Sequence, residues 1–195
     1  QFDADFDLLV ASLGAPSDVD GDDKTHFLFS PLVDSTGFGG FVDASSILPF
    51  STGGNGNQTD LIFISLGEPE LSYRALLAHE FQHLISFNQH VLVRFGASEV
   101  SWLNEGLSHL AEDLVDGFGI GNAERVATYL ADPSAVSLVG DASTNGAKRG
   151  AAYLFVRSLV DRFGPQVLLS LIGTGLADRD NLEAATGEAF EDLLS

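Results

Sequence analysis

His79-Glu80-Phe81-Gln82-His83, set inside the run from Leu77 to Leu84, decides how this chain is read. Residues four apart on an α-helix stand one turn apart on the same face, so His79 and His83 can direct both imidazoles at one ion. Leu77, Phe81, Leu84 and Asn88 form a separate strip suited to packing, which supports a helix here. Glu80 lies beside the histidines without having to bind the ion they would share. A zinc site built this way needs a third protein ligand and keeps one position for water.

Downstream, Ser101-Trp102-Leu103-Asn104-Glu105-Gly106-Leu107 opens a second amphipathic helix. A carboxylate at the start of that helix, Glu105, can close the coordination triangle from the opposite wall. Further helices are expected near 72–89, 99–116, 122–131, 147–163, 165–173 and 188–194, with Gly164-Pro165 separating two of them. Before the break at Gly67-Glu68-Pro69 the pattern is different. Phe2, Phe6, Leu9, Val10 and Leu13 recur at helical intervals and Gly14-Ala15-Pro16 ends that segment. Thr25 to Ser30 and Leu61 to Leu66 read as strands, and the glycine-rich stretch 37–43 as an edge strand or hairpin arm. The order is α+β, with a small mixed sheet lobe over 1–70 and a mainly helical lobe over 71–195, one domain with a cleft between the lobes.

Acidic residues outnumber basic ones 28 to 9, for a net charge of −19, which argues against nucleic acid as a partner. No apolar run reaches the ~18–20 residues of a membrane span. With no cysteine, disulfides, thiolate metal sites and a cysteine nucleophile are all excluded. The start at Gln1, without Met or an apolar leader, fits a processed, secreted protein. A monomer is expected.

HEFQH followed by WLNEG resembles the gluzincin metallopeptidases, and the run HEFQHLISFNQH…WLNEGLSHLAEDL is most similar to the secreted bacterial branch around hyicolysin. The resemblance is strong over about 76–116 and weaker over 18–30 and 147–194. It implies a zincin-like fold with Zn2+ held by His79, His83 and Glu105. It also implies Glu80 as general base in peptide-bond hydrolysis by a metal-activated water. Members of that superfamily often carry an acidic residue where this chain has His109, one turn after Glu105. His109 can brace a ligand, touch substrate or substitute as a ligand, or be a plain helix histidine. Glu112, two turns after Glu105, is expected to be solvated or paired. For the oxyanion the candidates are Tyr153, which can equally be a core residue, and Arg149 one turn earlier, where relatives may carry the Tyr.

His90 is a rival third ligand, but it would sit about 10 Å further along a continuing helix. Ser86 and Gln89 stand where the metzincin pattern wants Gly and His, so His90 reads as a surface or helix-end residue. Asp18, Asp20 and Asp22 resemble the start of a Ca2+ loop that lacks its closing glutamate, Phe29 standing there instead, so a solvated turn is the plainer reading.

The resulting expectation is a zinc endopeptidase on peptide or protein substrates, with the substrate adding as a strand beside 37–43. No Gly-x-Met-Glu-Asn segment exists to grip a free amine, which disfavours an aminopeptidase. The alternatives are an inactive gluzincin-like binding module and a zinc hydrolase of non-peptide amides.

Overall fold

The structure, a computed structural model, describes residues 2–67 and 73–195. Phe2, Phe6, Leu9 and Leu13 line one side of helix α1 (Phe2–Leu13), and their period decides where it goes. Phe2 and Phe6 meet Phe81 with ring centroids 5.4 and 5.2 Å apart, so α1 packs chiefly on the helical body, although Phe2 also meets Phe27 of β1 at 4.8 Å. The boundary at residue 70 therefore divides the chain in sequence order but not in packing.

Three strands form a mixed sheet in the order β1-β3-β2: β1 (His26–Ser30), β2 (Gly40–Val42) and β3 (Leu61–Ser65). β1 runs parallel to β3, His26 opposite Leu61, and β2 runs antiparallel to it, Gly40 opposite Ile64. β2 is thus an edge strand, as its glycines imply. The crossover from β1 to β3 carries two one-turn helices that the apolar pattern is too short to reveal, α2 (Pro31–Asp34) and α3 (Ala44–Ile47). Side chains cap both: Ser30 accepts from Leu32 N and Asp43 from Ser45 N, at 3.2 and 2.9 Å.

The helical body comprises α4 (Tyr73–Phe87), α5 (Ser101–Asp116), α6 (Ile120–Ala131), α7 (Gly146–Phe163), α8 (Gln166–Ile172), α9 (Asp178–Thr186) and α10 (Phe190–Leu193). Glu68 and Pro69 of the expected break, and residue 72 of the expected helix, lie outside the described residues. Buried Phe81, Trp102, Leu103, Leu107 and Val156 join α4, α5 and α7 into one core, each such side chain contributing about 1.5–3 kcal/mol. Trp102 also packs against Phe155 and Phe190 at 5.5 and 6.1 Å, which anchors α10. Helix α9 is absent from the sequence expectations because, among its residues, only Asn181 and Leu182 are buried, leaving no apolar stripe.

After Phe87 the chain makes one wide π turn, Asn88–Leu92, with Val93 N bonded to Asn88 O at 2.9 Å. An extra residue per turn changes the helix phase. His90 is carried inward, fully buried, where its Nδ1–H donates to Leu176 O at 3.0 Å. It is a helix-end histidine but not a surface one, and burial holds its pKa below the ordinary value.

Candidate metal centre

Two contacts without side chains set the walls of the site. A Cβ on Gly106 would come within 2.8 Å of Ala152 O, so α5 and α7 touch at backbone distance next to Glu105. A Cβ on Gly40 would meet Glu80 Cγ at 2.9 Å, so the edge strand lies directly over that carboxylate. Larger residues at either place would push the walls apart.

Helix α4 presents His79 and His83 on one face, their rings edge to face with centroids 4.8 Å apart. Helix α5 brings Glu105 opposite: its Oε2 lies 3.5 Å from His79 Nε2 and its Oε1 3.9 Å from His83 Nε2. His109 Nε2 approaches the same Oε2 at 3.9 Å. Donor atoms of His79, Glu105 and His109 lie within 4.8 Å of one another, so this buried group can hold a metal ion. His83 stands at the edge of that triangle, reached through the other oxygen of Glu105.

Glu112 is paired, one of the two outcomes expected of it, and the pairing organises the cluster. Carboxylates only accept, so the Nδ1–H groups of both His79 and His109 donate to Glu112 Oε1, each at 2.7 Å. Both rings are thereby fixed with Nε2 toward Glu105, and Arg125 faces the second Glu112 oxygen at 3.5 Å. The available signal was spacing: Glu112 is one turn past His109 and two past Glu105, on one helix face. Ser108 Oγ lies 3.2 Å from His79 Nε2 and donates to Glu105 O at 2.9 Å. Its proton serves that carbonyl, so Ser108 presents an acceptor to the His79 ring.

Charge follows from this geometry. Burial pushes the His79 imidazolium down, but hydrogen bonds to Glu105 and Glu112 outweigh it and raise its pKa to about 9. Burial also pushes up Glu105, yet the His79 hydrogen bond and charge bring it down to about 2. Glu112, buried too, is held well below the carboxylate range by His109 and His79. His83 and His109 are each lowered to about 4, first by burial. Glu80 is raised to about 7 by burial, only partly opposed by His79.

Arg149 is brought to the cluster, its Nη2 3.1 Å from Glu105 Oε2 and donating to Ser143 O at 2.7 Å. Tyr153 is not. One turn further along α7 carries it past the cleft, where its ring stacks on Phe118 at 5.9 Å and its hydroxyl meets Asp113. Burial and Asp113 raise the phenol to about 12. The expectation of an oxyanion role for Tyr153 is therefore corrected; it is a core residue.

A cleft of about 1060 Å³ runs between the edge strand and the helices, lined by His79, Glu80, His83, Glu105 and Arg149. Glu112 reaches it, whereas His109 does not. Its apolar walls include Phe38, Phe41, Phe87 and Ile120. Four buried atoms around the cluster, Glu80 Oε2, His83 Nδ1, Glu105 Oε2 and His109 Nε2, lack a hydrogen-bond partner. Imidazole nitrogens and a carboxylate form a donor set that suits zinc, and two of those atoms, Glu105 Oε2 and His109 Nε2, belong to the group able to hold an ion. Asp18 and Asp20 approach Asp60, and Asp20 also approaches Asp22, which itself bonds to His26 Nε2 at 3.1 Å.

The sequence matches no protein-family model and no curated protein sequence. Among the described residues no helix is long and apolar enough to cross a membrane.

Proposed function

We propose that the chain is a zinc-dependent endopeptidase, with zinc held by His79, His83 and Glu105 and with Glu80 as general base. The observation that carries this is the approach of one Glu105 carboxylate to Nε2 of both α4 histidines, within 3.9 Å, on the wall of an open cleft. His79, His83 and Glu105 all line that cleft, so an ion among them keeps an open face toward substrate.

Zinc, when bound, supplies Lewis acidity toward a water and a carbonyl. The remaining work belongs to the chain. Glu80, buried beneath the edge strand with a pKa near 7, takes a proton from water at neutral pH and returns it to the leaving amine. Glu112 holds the His79 ring, and thus its Nε2, in a fixed direction. Arg149 places a permanent cation at the cleft wall, suited to a carbonyl oxygen gaining negative charge. β2 offers an unpaired backbone edge to an extended peptide, and Phe38, Phe87 and Ile120 offer apolar contacts to its side chains. Action outside the cell, and as a monomer, belongs to the same proposal.

The test measures zinc content and chelator-sensitive casein cleavage in the parent and in Glu80→Gln. Near-equimolar zinc in both, with cleavage reduced by 10²–10⁴ in the variant, is the expected result. Zinc without cleavage of any peptide library by the parent would overturn it.

One observation favours a second reading, a binding module with a closed metal site. His79, Glu105 and His109 form the tighter buried group, and His109 has no access to the cleft. The two readings separate on metal affinity: His83→Ala abolishes tight zinc binding in the first and spares it in the second, and His109→Ala does the reverse.

A further inference from the structure

The aspartate loop before β1 carries a feature that the metal centre does not use. Asp60, at the start of β3, has no exposed surface. Its Oδ2 accepts from Val19 N at 2.7 Å, whereas its Oδ1 is buried without any hydrogen-bond partner. Carboxylate oxygens of Asp18, Asp20 and Asp60 lie within 4.8 Å of one another. The loop is bent to bring them there: Gly21 and Asp23 have φ of 75° and 58°, and Asp23 N donates to Asp18 Oδ1 at 3.1 Å. The Asp22 carboxylate also approaches Asp20, within 4.8 Å, but is paired with His26 and, at 3.9 Å, with Lys24. Among the described residues no basic side chain pairs with Asp18, Asp20 or Asp60.

We propose that Asp18, Asp20 and Asp60 form a cation site of the calcium class, which clamps the loop after α1 to the residue just before the central strand. All the donors are oxygens, which selects a hard cation over zinc. Two of them sit on an exposed loop, and such adaptable geometry suits calcium better than the strict octahedron of magnesium. Ser17 Oγ, also buried, faces the same Asp60 carboxylate and helps to hold its charge. Burial and the neighbouring Asp20 and Asp18 push Asp60 above the ordinary carboxylate range, an electrostatic burden that a cation relieves. Asp60 supplies the element missing from the local aspartate motif, arriving from a strand that pairs with the one the loop leads into.

Thermal unfolding of the full zinc-loaded chain, titrated with calcium chloride and separately with magnesium chloride, tests this. At 10 mM calcium a site with millimolar or sub-millimolar affinity raises the unfolding midpoint by about 4–8 °C. Magnesium raises it less. Asp18→Asn and Asp20→Asn, both on the exposed loop, each weaken the apparent calcium affinity at least tenfold. Asp7→Asn, which removes the same charge from the outer face of α1, leaves the response intact. Asp60→Asn keeps an acceptor for Val19 N and loses the calcium response. If it does not fold, the two loop variants decide. No response in the parent, or equal responses in parent and loop variants, overturns the proposal. So does an equal loss of response in Asp7→Asn.

Discussion

The cluster between α4 and α5 and the aspartate loop before β1 both gather groups able to hold a cation, but they do so by different means. In the first, helical periodicity sets every position: His79 and His83 share a face of α4, and Glu105, His109 and Glu112 share a face of α5. Two of the three rings there, those of His79 and His109, are held by Glu112. In the second, two donors ride on an exposed turn and only Asp60 is fixed by burial. Rigid elements preset a geometry, whereas a loop takes its shape partly from what it holds.

That contrast can be attacked from several sides, and the largest effect is expected at Glu112. Glu112→Gln keeps an accepting oxygen but removes the charge that strengthens both imidazole hydrogen bonds, so zinc affinity falls by about 10–100-fold in a competition with a chelating dye. The calcium response of the loop stays as in the parent. Unchanged zinc affinity would mean that the charge of Glu112 contributes nothing to holding the rings.

Gly106→Ala tests the helix contact behind the cluster. Its new methyl meets Ala152 O, and the unfolding free energy in urea falls by about 1–3 kcal/mol. Asp5→Asn probes the link between the two regions, since Asp5 joins α1 to α4 through two hydrogen bonds from Arg74, at 2.8 and 2.7 Å. The loss is about 1–2 kcal/mol at pH 7. The Arg74 hydrogen bonds hold Asp5 below 3.8, so the advantage of the parent is full above that value and vanishes as pH falls through the folded pKa. Denaturation of both proteins at pH 7 and at pH 2 checks the convergence. The smallest effect is at Tyr153: Tyr153→Phe leaves kcat/KM for casein within about twofold, since the hydroxyl faces Asp113. A hundredfold loss would return Tyr153 to the cleft.

What the sequence disclosed follows the same division. The α+β order, the edge strand near 37–43 and the approach of Glu105 to His79 and His83 were readable because each depends on local period or on one interval between motifs. Glu112 was visible but undervalued, since an i, i+3 pair on a helix is usually solvent-exposed and only burial makes it a brace. Tyr153 was misplaced because one turn of α7 separates cleft from core, a distinction that periodicity alone does not draw. Asp60 gave no local signal at all. Its role depends on the parallel pairing of β1 with β3, a contact between distant parts of the chain. Helix α9 is silent for a further reason: it is held by polar links, with Glu99 accepting from Asp178 N at 2.7 Å and from Asn181 Nδ2 at 2.6 Å.

The wide turn at Asn88–Leu92 makes chain length a ruler. The backbone leaving α4 must be rotated and advanced by a set amount for Ser101 to begin α5 with Glu105 inward. Removing a single residue there would turn the rest of that helix end by about 100° and carry His90 away from Leu176 O while leaving every donor of the cluster intact.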